Sequence, residues 1–445
     1  MVRYPQYPSY KQTPCSWLQE VPEHWSFKRL KNVATHNDEA LDERTDSDFE
    51  IEYVDISSVN LTRGIESSET LKFEKAPSRA RRKVKHGDII VSTVRTYLKA
   101  IAPISNPPDN LIVSTGFAVV RPMDKLHSGY AGYLLQSNGF VGEVVANSVG
   151  VSYPAINASD LVRIAAVEPP FEEQEAIARF LDFKTAQIDA LIAKKKTLLE
   201  RLAEKRTALI SHAVTKGLDP QVEMKDSGVD WLGCVPKHWK QTPFKWCCRI
   251  TEGQVDPRAD EFSSLPLVAP NHIESGTGRL IQIESAEDQG AISGKYFYKK
   301  GAILYSKIRP ALVKACITES DGLCSADMYP IYPEHGLISE FLLYQILSKG
   351  FTQFALLVSE RVAMPKVNRE ALGAFMIAIP PEPEQEKIVE FIRASVERVD
   401  RQQTRSLDAI VKLQEYRSAL ITNAVTGKID VRNFFPSSSV ASAST

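Results

Sequence analysis

Two stretches of the chain carry side chains that suit phosphate binding. Lys72–Lys85 holds seven cationic residues against one glutamate, and Gln289–Lys314 holds six cations and no acid. Lysine and arginine position a protein on the nucleic-acid backbone, and arginine also contacts base edges. The alternative is that both runs are solvated faces, since basic clusters are weak motifs. We predict DNA contacts from residues in and beside the two runs, namely Lys72, Arg79, Arg81, Arg82, Lys83, Lys85, Arg95, Lys295, Tyr296, Tyr298, Lys299, Lys300, Lys307 and Arg309.

Residues for covalent chemistry do not form a known arrangement in the sequence. It contains no P-loop, no dinucleotide fingerprint, no zinc-protease motif and no nucleophile elbow. Asn106-Pro-Pro-Asp109 approaches the Asn/Asp-Pro-Pro-aromatic tetrapeptide of adenine methyltransferases, but Asp replaces the aromatic residue that stacks on a flipped base. The fragment predicts a turn. We predict no catalytic residue and no metal site, and we expect His24 and His238 to have a packing role.

Composition excludes several classes of protein. The 54 basic and 55 acidic residues give a formal net charge of −1, so the chain is not a uniformly basic nucleic-acid binder. Its 445 residues suffice for about three or four units of ~100–150 residues. The sequence contains no run of ~18 apolar residues that would predict a membrane span. The N-terminus lacks the apolar stretch of a signal peptide. Six cysteines without metal spacing predict reduced thiols and a cytoplasmic location.

The chain contains an internal repeat that covers most of its length. Four blocks recur in the same order, the first two after 214 residues and the last two after 211, so the copies differ by a small insertion or deletion. A repeat this long indicates a duplicated pair of domains. The matched blocks are residues 17–25 with 231–239, 87–95 with 301–309, 169–175 with 380–386, and 206–215 with 417–426.

Each copy begins with short β-branched runs and ends with a long helical pattern. The runs are interrupted by Gly, Pro, Asn and Asp, which predicts a β-rich domain with a few helices, for example at Tyr130–Asn138 and Glu340–Ser348. The helical pattern follows Pro-Pro and acidic residues, and it ends before Gly217 in one copy and Gly427 in the other. About 45 residues without Gly or Pro form a helix of ~65 Å at 1.5 Å per residue.

The apolar positions of these two helices alternate in steps of three and four. Such a one-sided helix needs a partner, and the other copy is the natural one, so we predict an antiparallel coiled coil with pseudo-two-fold symmetry. Two unrelated surface helices are the alternative. The residues predicted for the helix seam and for partner docking are Leu181, Ile188, Leu191, Leu198, Leu202, Leu209, Ile392, Val399, Ile410, Leu413 and Leu420.

The predicted fold is α+β, with two β-rich domains separated by two long antiparallel helices. The predicted segments are a first domain at 1–168, a central helix at 169–217, a second domain at 218–379, a C-terminal helix at 380–427 and a flexible tail at 428–445.

The duplicated motifs resemble those of one family, the DNA-specificity subunits of type I restriction-modification systems. The resemblance rests on Pro-Pro-x-x-Glu-Gln-Glu and Arg-x-Ala-Leu-Ile-x-x-Ala-Val-Thr in both copies, and on Val-Pro-x-His-Trp near the start of each domain. It implies that each β-rich domain is a target-recognition domain for one half of a split DNA site. It also implies that the helices space the domains and dock other subunits.

The resemblance further implies partners and a division of chemistry among them. Two methyltransferase subunits would bind S-adenosylmethionine and methylate adenine N6, and two motor-nuclease subunits would complete the complex on double-stranded DNA. No cofactor is expected in this chain, since S-adenosylmethionine, ATP and Mg²⁺ belong to the partner subunits. The alternatives are a stand-alone adenine methyltransferase with a degenerate motif, and a coiled-coil scaffold that does not bind DNA.

Overall fold

The computed structural model describes residues 4–15, 17–359 and 365–435. The chain forms two compact units, one from the chain up to Lys194 together with the chain from Asp408 onward, and one from Lys195–Leu407. Each unit therefore contains one β-rich domain and one segment of each long helix. The segments predicted from the sequence end at the helix termini and treat each long helix as a separate segment. They differ from the two units because each unit combines a domain with part of each helix.

The first unit contains two four-stranded sheets and three two-stranded ribbons. The sheets have the orders β11-β10-β13-β4 and β8-β5-β12-β9, and the ribbons are β1-β2, β3-β14 and β6-β7. The bounds are β1 Tyr10–Cys15, β2 Leu18–Pro22, β3 Ser26–Arg29, β4 Ala34–His36, β5 Glu50–Val54, β6 Val59–Asn60, β7 Gly64–Ile65, β8 Glu69–Lys72, β9 Ala80–Lys83, β10 Ile89–Ser92, β11 Ile101–Pro103, β12 Leu111–Ser114, β13 Phe117–Pro122, α1 Ser128–Gln136, α2 Asn138–Ala146, α3 Ala158–Leu161 and β14 Ala165–Glu168.

The second unit repeats this architecture. Its sheets have the orders β18-β25-β22-β23 and β20-β19-β24-β21, with ribbons β15-β16 and β17-β26. The bounds are β15 Met224–Asp226, β16 Cys234–Pro236, β17 Lys240–Pro243, β18 Cys248–Ile250, β19 Pro266–Val268, β20 Glu284–Ser285, β21 Tyr296–Tyr298, β22 Ile303–Ser306, β23 Ala315–Ile317, β24 Gly322–Cys324, β25 Met328–Pro333, α5 Ser339–Ile346, α6 Lys349–Ser359, α7 Arg369–Gly373 and β26 Met376–Ile379.

Strand pairing follows the same order in the two domains. In each, one sheet is antiparallel throughout, and the other contains one parallel pair, β5 with β12 and β19 with β24. The central strands β10 and β22 are buried along their whole length. A strand covered on both faces requires a continuous apolar run, which Ile89-Ile-Val91 and Ile303-Leu-Tyr305 supply.

The two long helices have nearly the predicted bounds, α4 at Phe171–Lys216 and α8 at Glu382–Val425. Each starts after a Pro-Pro pair and has glutamates in its first turn, where negative charge interacts favourably with the helix dipole. Gly217 and Gly427 follow the two helices, both with φ of 73°, a conformation that is costly for any residue with a side chain.

Part of the predicted flexible tail is packed. The amide of Asp430 donates to the carbonyl of Pro5 at 2.8 Å, and Val431 is buried. The Phe434 ring lies 4.9 Å from Phe180 of α4 between centroids. The structure thus differs from the prediction at 428–435, since these aromatic and aliphatic residues contact the helix, and residues 436–445 lie outside the described residues.

Among the described residues, no single helix has the length and apolar composition needed to span a membrane. The bent pair α5–α6 meets these requirements together, on length and composition alone.

Candidate DNA interface and helix seam

The start of α4 binds the Val-Pro-x-His-Trp motif of the first copy. Glu173 accepts a hydrogen bond from the Trp25 indole Nε1 at 2.9 Å, and its other oxygen lies 2.6 Å from His24 Nε2. The Tyr7 hydroxyl also donates to Glu173, at 3.1 Å. Trp25 is fully buried, so its indole nitrogen needs an acceptor within the protein. The glutamate therefore holds the beginning of the domain against the beginning of the helix.

The second copy of the repeat has the same contact, formed by the equivalent residues. Glu384 of α8 accepts from Trp239 Nε1 at 3.0 Å and lies 2.8 Å from His238 Nε2. The Glu-Gln pair of the Pro-Pro-x-x-Glu-Gln-Glu motif thus begins with a residue that fixes domain to helix in both copies. The sequence predicts a packing role for the two histidines, whereas both are exposed and contribute a hydrogen bond at equivalent places.

The glutamine that follows each of these glutamates joins the helix start to a loop of its domain. Gln174 accepts from the His127 amide at 2.8 Å and donates to the carbonyl of Pro169 at 2.8 Å. Gln385 accepts from the Ile338 amide at 2.9 Å and donates to the carbonyl of Pro380 at 3.0 Å. Both glutamines are buried, so these backbone groups are satisfied without water.

An arginine–aspartate pair crosses the helix seam in each unit. In the first unit Arg417 Nε lies 3.0 Å from Asp189, and in the second Arg206 Nε lies 3.6 Å from Asp400. Both members of each pair occupy repeat-equivalent positions, 211 residues apart. The pairs occur in opposite order along α4 and α8, as antiparallel helices require.

Arg206 has further partners in the β-rich domain of the second unit. Its guanidinium donates to the carbonyls of Gly276 at 2.6 Å and Thr277 at 2.7 Å. Burial lowers the pKa of Arg206. Sequence reasoning placed neither Arg206 nor its partner Asp400 in the seam, although Arg206 opens a motif block that recurs in both copies, and that recurrence is the signal that identifies it.

Most of the predicted seam residues are buried or half-buried. Leu191 and Leu198 are exceptions, at 49% and 39% exposed, because Ile192 occupies the buried position one residue later and Leu199 is half-buried. Ile210 similarly takes the buried position beside Leu209. Adjacent apolar residues at these three places leave the phase of a 3.6-residue period ambiguous. The predicted residues that are buried are Leu181, Ile188, Leu202, Ile392, Val399, Ile410 and Leu420, and those half-buried are Leu209 and Leu413.

In the first basic run, several cations are neutralised by the domain's own carboxylates. Lys72 Nζ lies 2.6 Å from Asp48, and Lys85 pairs with Glu39. Arg79 pairs with Asp55 at 3.0 Å and also donates to the Tyr53 hydroxyl at 3.0 Å. The run is therefore less positive in the folded domain than its sequence suggests.

Three of the remaining cations of this run lie on β9, at the edge of its sheet. The Arg81 guanidinium lies 4.6 Å from the centre of the Phe73 ring, and Lys83 is exposed. Arg82 is half-buried, and among the described residues its Nε has no hydrogen-bond partner. Together with Lys75, these three residues are the cations of the first run that no carboxylate neutralises within the described part of the chain.

The second run divides into buried and exposed residues. Lys295 is buried and donates to the Ser293 carbonyl at 2.6 Å, and burial lowers its pKa. Tyr298 is 2% exposed. Neither side chain is accessible to DNA, so both predicted contacts are wrong, because the positions belong to the interior side of β21 and its flank. Lys299 and Lys300 are exposed.

Two cations of the second domain make cation–π contacts with tyrosine rings. Arg369 lies 5.7 Å from the Tyr296 ring and 5.3 Å from the Tyr329 ring, and Lys307 Nζ lies 5.2 Å from Tyr329. Cation–π contacts of this kind keep a charged group in place without neutralising it. Arg369 is also ion-paired, since it lies 3.6 Å from Glu252. Lys307 and Tyr296 were predicted from sequence. Arg369 was not, since it stands outside any basic run.

Arg95 and Arg309 occupy equivalent exposed loops, which follow β10 and β22. Among the described residues neither pairs with a carboxylate. Arg95 lies 4.9 Å from the centre of the Tyr153 ring.

The Asn106-Pro-Pro-Asp109 fragment lies in the loop between β11 and β12. The amide of Leu111 donates to the Pro108 carbonyl at 3.0 Å, which closes a turn. The loop lines a cavity of about 540 Å³, together with Tyr133 and Arg417. Within the part of the chain that the structure describes, no group of three or more His, Cys, Asp or Glu residues could hold a metal ion.

The chain is similar to two curated proteins. It is 27% identical over 312 residues to the EcoDI type I restriction enzyme specificity subunit of Escherichia coli, covering 67% of this chain and 69% of that protein. It is 25% identical over 234 residues to the putative MjaX specificity subunit of Methanocaldococcus jannaschii, covering 50% of this chain and 52% of that protein.

Two solved structures share the fold. A chain from a study of complex assembly and conformational transition of a type I R-M system has a TM-score of 0.69 and 22% identity, covering 91% of this chain and 98% of that chain. The HsdS subunit from Thermoanaerobacter tengcongensis has a TM-score of 0.52 and 22% identity, covering 92% of this chain and 98% of that chain.

The model of the type I restriction modification DNA specificity domain matches residues 22–201 and 266–408. These two segments include most of each β-rich domain and most of each long helix. The chain therefore belongs to the family of type I restriction-modification DNA specificity subunits, whose members recognise DNA and are not themselves enzymes.

Proposed function

We propose that each β-rich domain reads one half of a bipartite double-stranded DNA target. The observation that carries this proposal is the difference between what repeats and what does not. The glutamate, glutamine and arginine–aspartate contacts recur in both copies, whereas the cations outside these contacts have different surroundings in the two domains. Two different surfaces on one duplicated framework suit the recognition of two different half-sites.

The two long helices serve as the dock for partner subunits in this proposal. Leu191 and Val411 are exposed on the helix segments of the first unit, and Leu198 and Leu407 on those of the second. Each unit thus exposes an aliphatic side chain on both of its helix segments, which suits a protein partner that contacts the two helices together. The partners are two adenine-N6 methyltransferase subunits and two motor-nuclease subunits, and S-adenosylmethionine, ATP and Mg²⁺ bind to them rather than to this chain.

Co-expression with a cognate methyltransferase subunit tests the proposal. Methylated adenines in the host DNA are mapped with the chain alone, with the partner alone and with both. Only the pair is expected to methylate, at a single motif with two specific halves and a non-specific spacer.

Two outcomes contradict this proposal. Methylation by the chain alone would support a stand-alone methyltransferase. Assembly with the partner without any sequence-selective methylation would support a coiled-coil scaffold that does not bind DNA.

A further inference from the structure

The loops after β10 and β22 share an unusual backbone conformation. Arg95 and Arg309 have φ of 49° and 48°, and four residues later Lys99 and Val313 have φ of 53° and 45°. Left-handed backbone is unfavourable for residues other than glycine, and strain of this kind collects at functional sites. None of these four residues is a glycine, so both loops place side chains on backbone that costs stability.

Buried serines hold both loops in the same way. The Ser92 hydroxyl donates to the Val94 carbonyl at 2.5 Å, and the Ser306 hydroxyl donates to the Ile308 carbonyl at 3.1 Å. Both serines are 3% exposed. Each loop therefore projects from a fixed base, and its arginine is held at a defined place on the surface.

A second loop joins each of these loops through backbone hydrogen bonds. In the first domain the Ile156 amide donates to the Thr93 carbonyl at 2.8 Å. In the second the Val367 amide donates to the Lys307 carbonyl, also at 2.8 Å. We call the first two-loop surface, residues 93–99 and 148–155, the first tip, and residues 307–313 with 365–367 the second tip.

The first tip exposes an apolar group beside its cation. Val149, Val151 and Tyr153 are 81%, 102% and 66% exposed, and the Arg95 guanidinium covers the Tyr153 ring. Isolated exposed apolar residues are ordinary, but three on alternate positions of one short loop indicate a contact surface. The neighbouring Lys99 is also exposed, which gives the surface a positive charge.

We infer that the two tips are the base-reading elements of the two domains, with Arg95 and Arg309 as specificity-determining residues. This inference rests on the proposed function and assigns residues to it. The duplex is the occupant that fits, because a positively charged surface with an arginine fork complements phosphates and base-edge acceptors, and the valines match thymine methyl groups. The ion-paired cations at Lys72, Arg79 and Lys85 have a minor role.

The test uses the complete complex with its methyltransferase partner. Arg95→Asn removes the guanidinium but keeps a residue that tolerates left-handed backbone. We expect the affinity for the native target to fall about tenfold or more, the methylated motif to relax within one half only, and the salt dependence to stay unchanged. Arg309→Asn is expected to relax the other half only.

Two further variants separate reading from folding. Val151→Ser changes a side chain that packs against nothing, and we expect it to relax the same half as Arg95→Asn by a smaller factor. Lys72→Gln removes an exposed cation already paired with Asp48, and we expect no change in the motif.

Uniform weakening by Arg95→Asn at all sequences, with the salt slope reduced by about one, would make Arg95 a phosphate contact and overturn the inference. An unchanged motif for Arg95→Asn and Val151→Ser would overturn it as well. Absence of any bipartite motif in the unaltered complex is a separate result, which counts against the proposed function itself.

Discussion

The two copies of the repeat agree where domain meets helix and differ on the surface of their sheets. Glu173 and Glu384 bind a buried tryptophan and a histidine in the same way, and both arginine–aspartate pairs cross the seam. The glutamate contacts satisfy the indole nitrogens of two buried tryptophans, which need an acceptor within the protein. The repeated contacts therefore belong to the framework.

The sheets of the two domains differ in their side-chain contacts at one equivalent position. Arg121 on β13 donates to Asp88 at 2.8 and 2.9 Å and to Glu39 at 2.8 Å, which forms an ion network. The position 211 residues later is Tyr332 on β25, and the Arg249 guanidinium lies 4.7 Å from its ring. The same backbone thus supports a network of charges in one domain and a cation–π contact in the other, so these positions are free to diverge.

Removing the framework glutamates should have the largest effect on stability. Glu173→Ala leaves the Trp25 indole and the Tyr7 hydroxyl without an acceptor, and we expect a loss of about 3 kcal/mol in the free energy of unfolding. Glu384→Ala should cost less, about 1–2 kcal/mol, because the Glu384 side chain is 32% exposed against 11% for Glu173. Urea unfolding of both variants gives the comparison.

Glu173→Gln is the control for this pair, since its amide oxygen still accepts a hydrogen bond. We expect Glu173→Gln to keep most of the free energy of unfolding that Glu173→Ala loses. Equal losses for Glu173→Ala and Glu384→Ala, or a loss for Glu173→Gln as large as that for Glu173→Ala, would mean that the carboxylate contact is not what holds domain to helix.

Substitutions on the diverged sheets should have smaller effects, and unequal ones. Arg121→Gln leaves the buried Asp88 carboxylate with fewer partners, and we expect a loss of about 2 kcal/mol. Arg249→Gln removes an exposed ion pair and a ring contact, and we expect less than about 1 kcal/mol. The measurement is again urea unfolding. If Arg249→Gln lost more stability than Arg121→Gln, the ion network around Arg121 would not be an important source of stability in the first domain.

The framework was predictable from the sequence because it is encoded in local motifs that recur. Pro-Pro at the start and glycine at the end placed both long helices to within a few residues, and the repeat predicted one architecture for both domains. The function of the motif glutamates was not predictable. Their partners Trp25 and Trp239 stand more than a hundred residues earlier in the chain, and no local pattern joins them.

The candidate DNA contacts were less predictable for a related reason. A run of cations does not reveal which distant carboxylates neutralise it, as Asp48 does for Lys72. Nor does it reveal which side of a strand faces inward, as at Tyr298 on β21. Arg95 and Arg309 were selected for their charge, whereas the strained backbone that distinguishes them appears only in the folded loops.

Exchange of one domain tests most directly whether each domain reads its own half-site. The ribbon of β3 and β14 closes the first domain, where the Leu30 amide donates to the Ile164 carbonyl at 3.0 Å, so residues 30–164 can be replaced by those of another specificity subunit. This exchange leaves Trp25, Glu173 and Gln174 in place. With a methyltransferase partner present, mapping of methylated adenines should show one half of the motif replaced and the other half retained. A change in both halves, or in neither, would contradict the account.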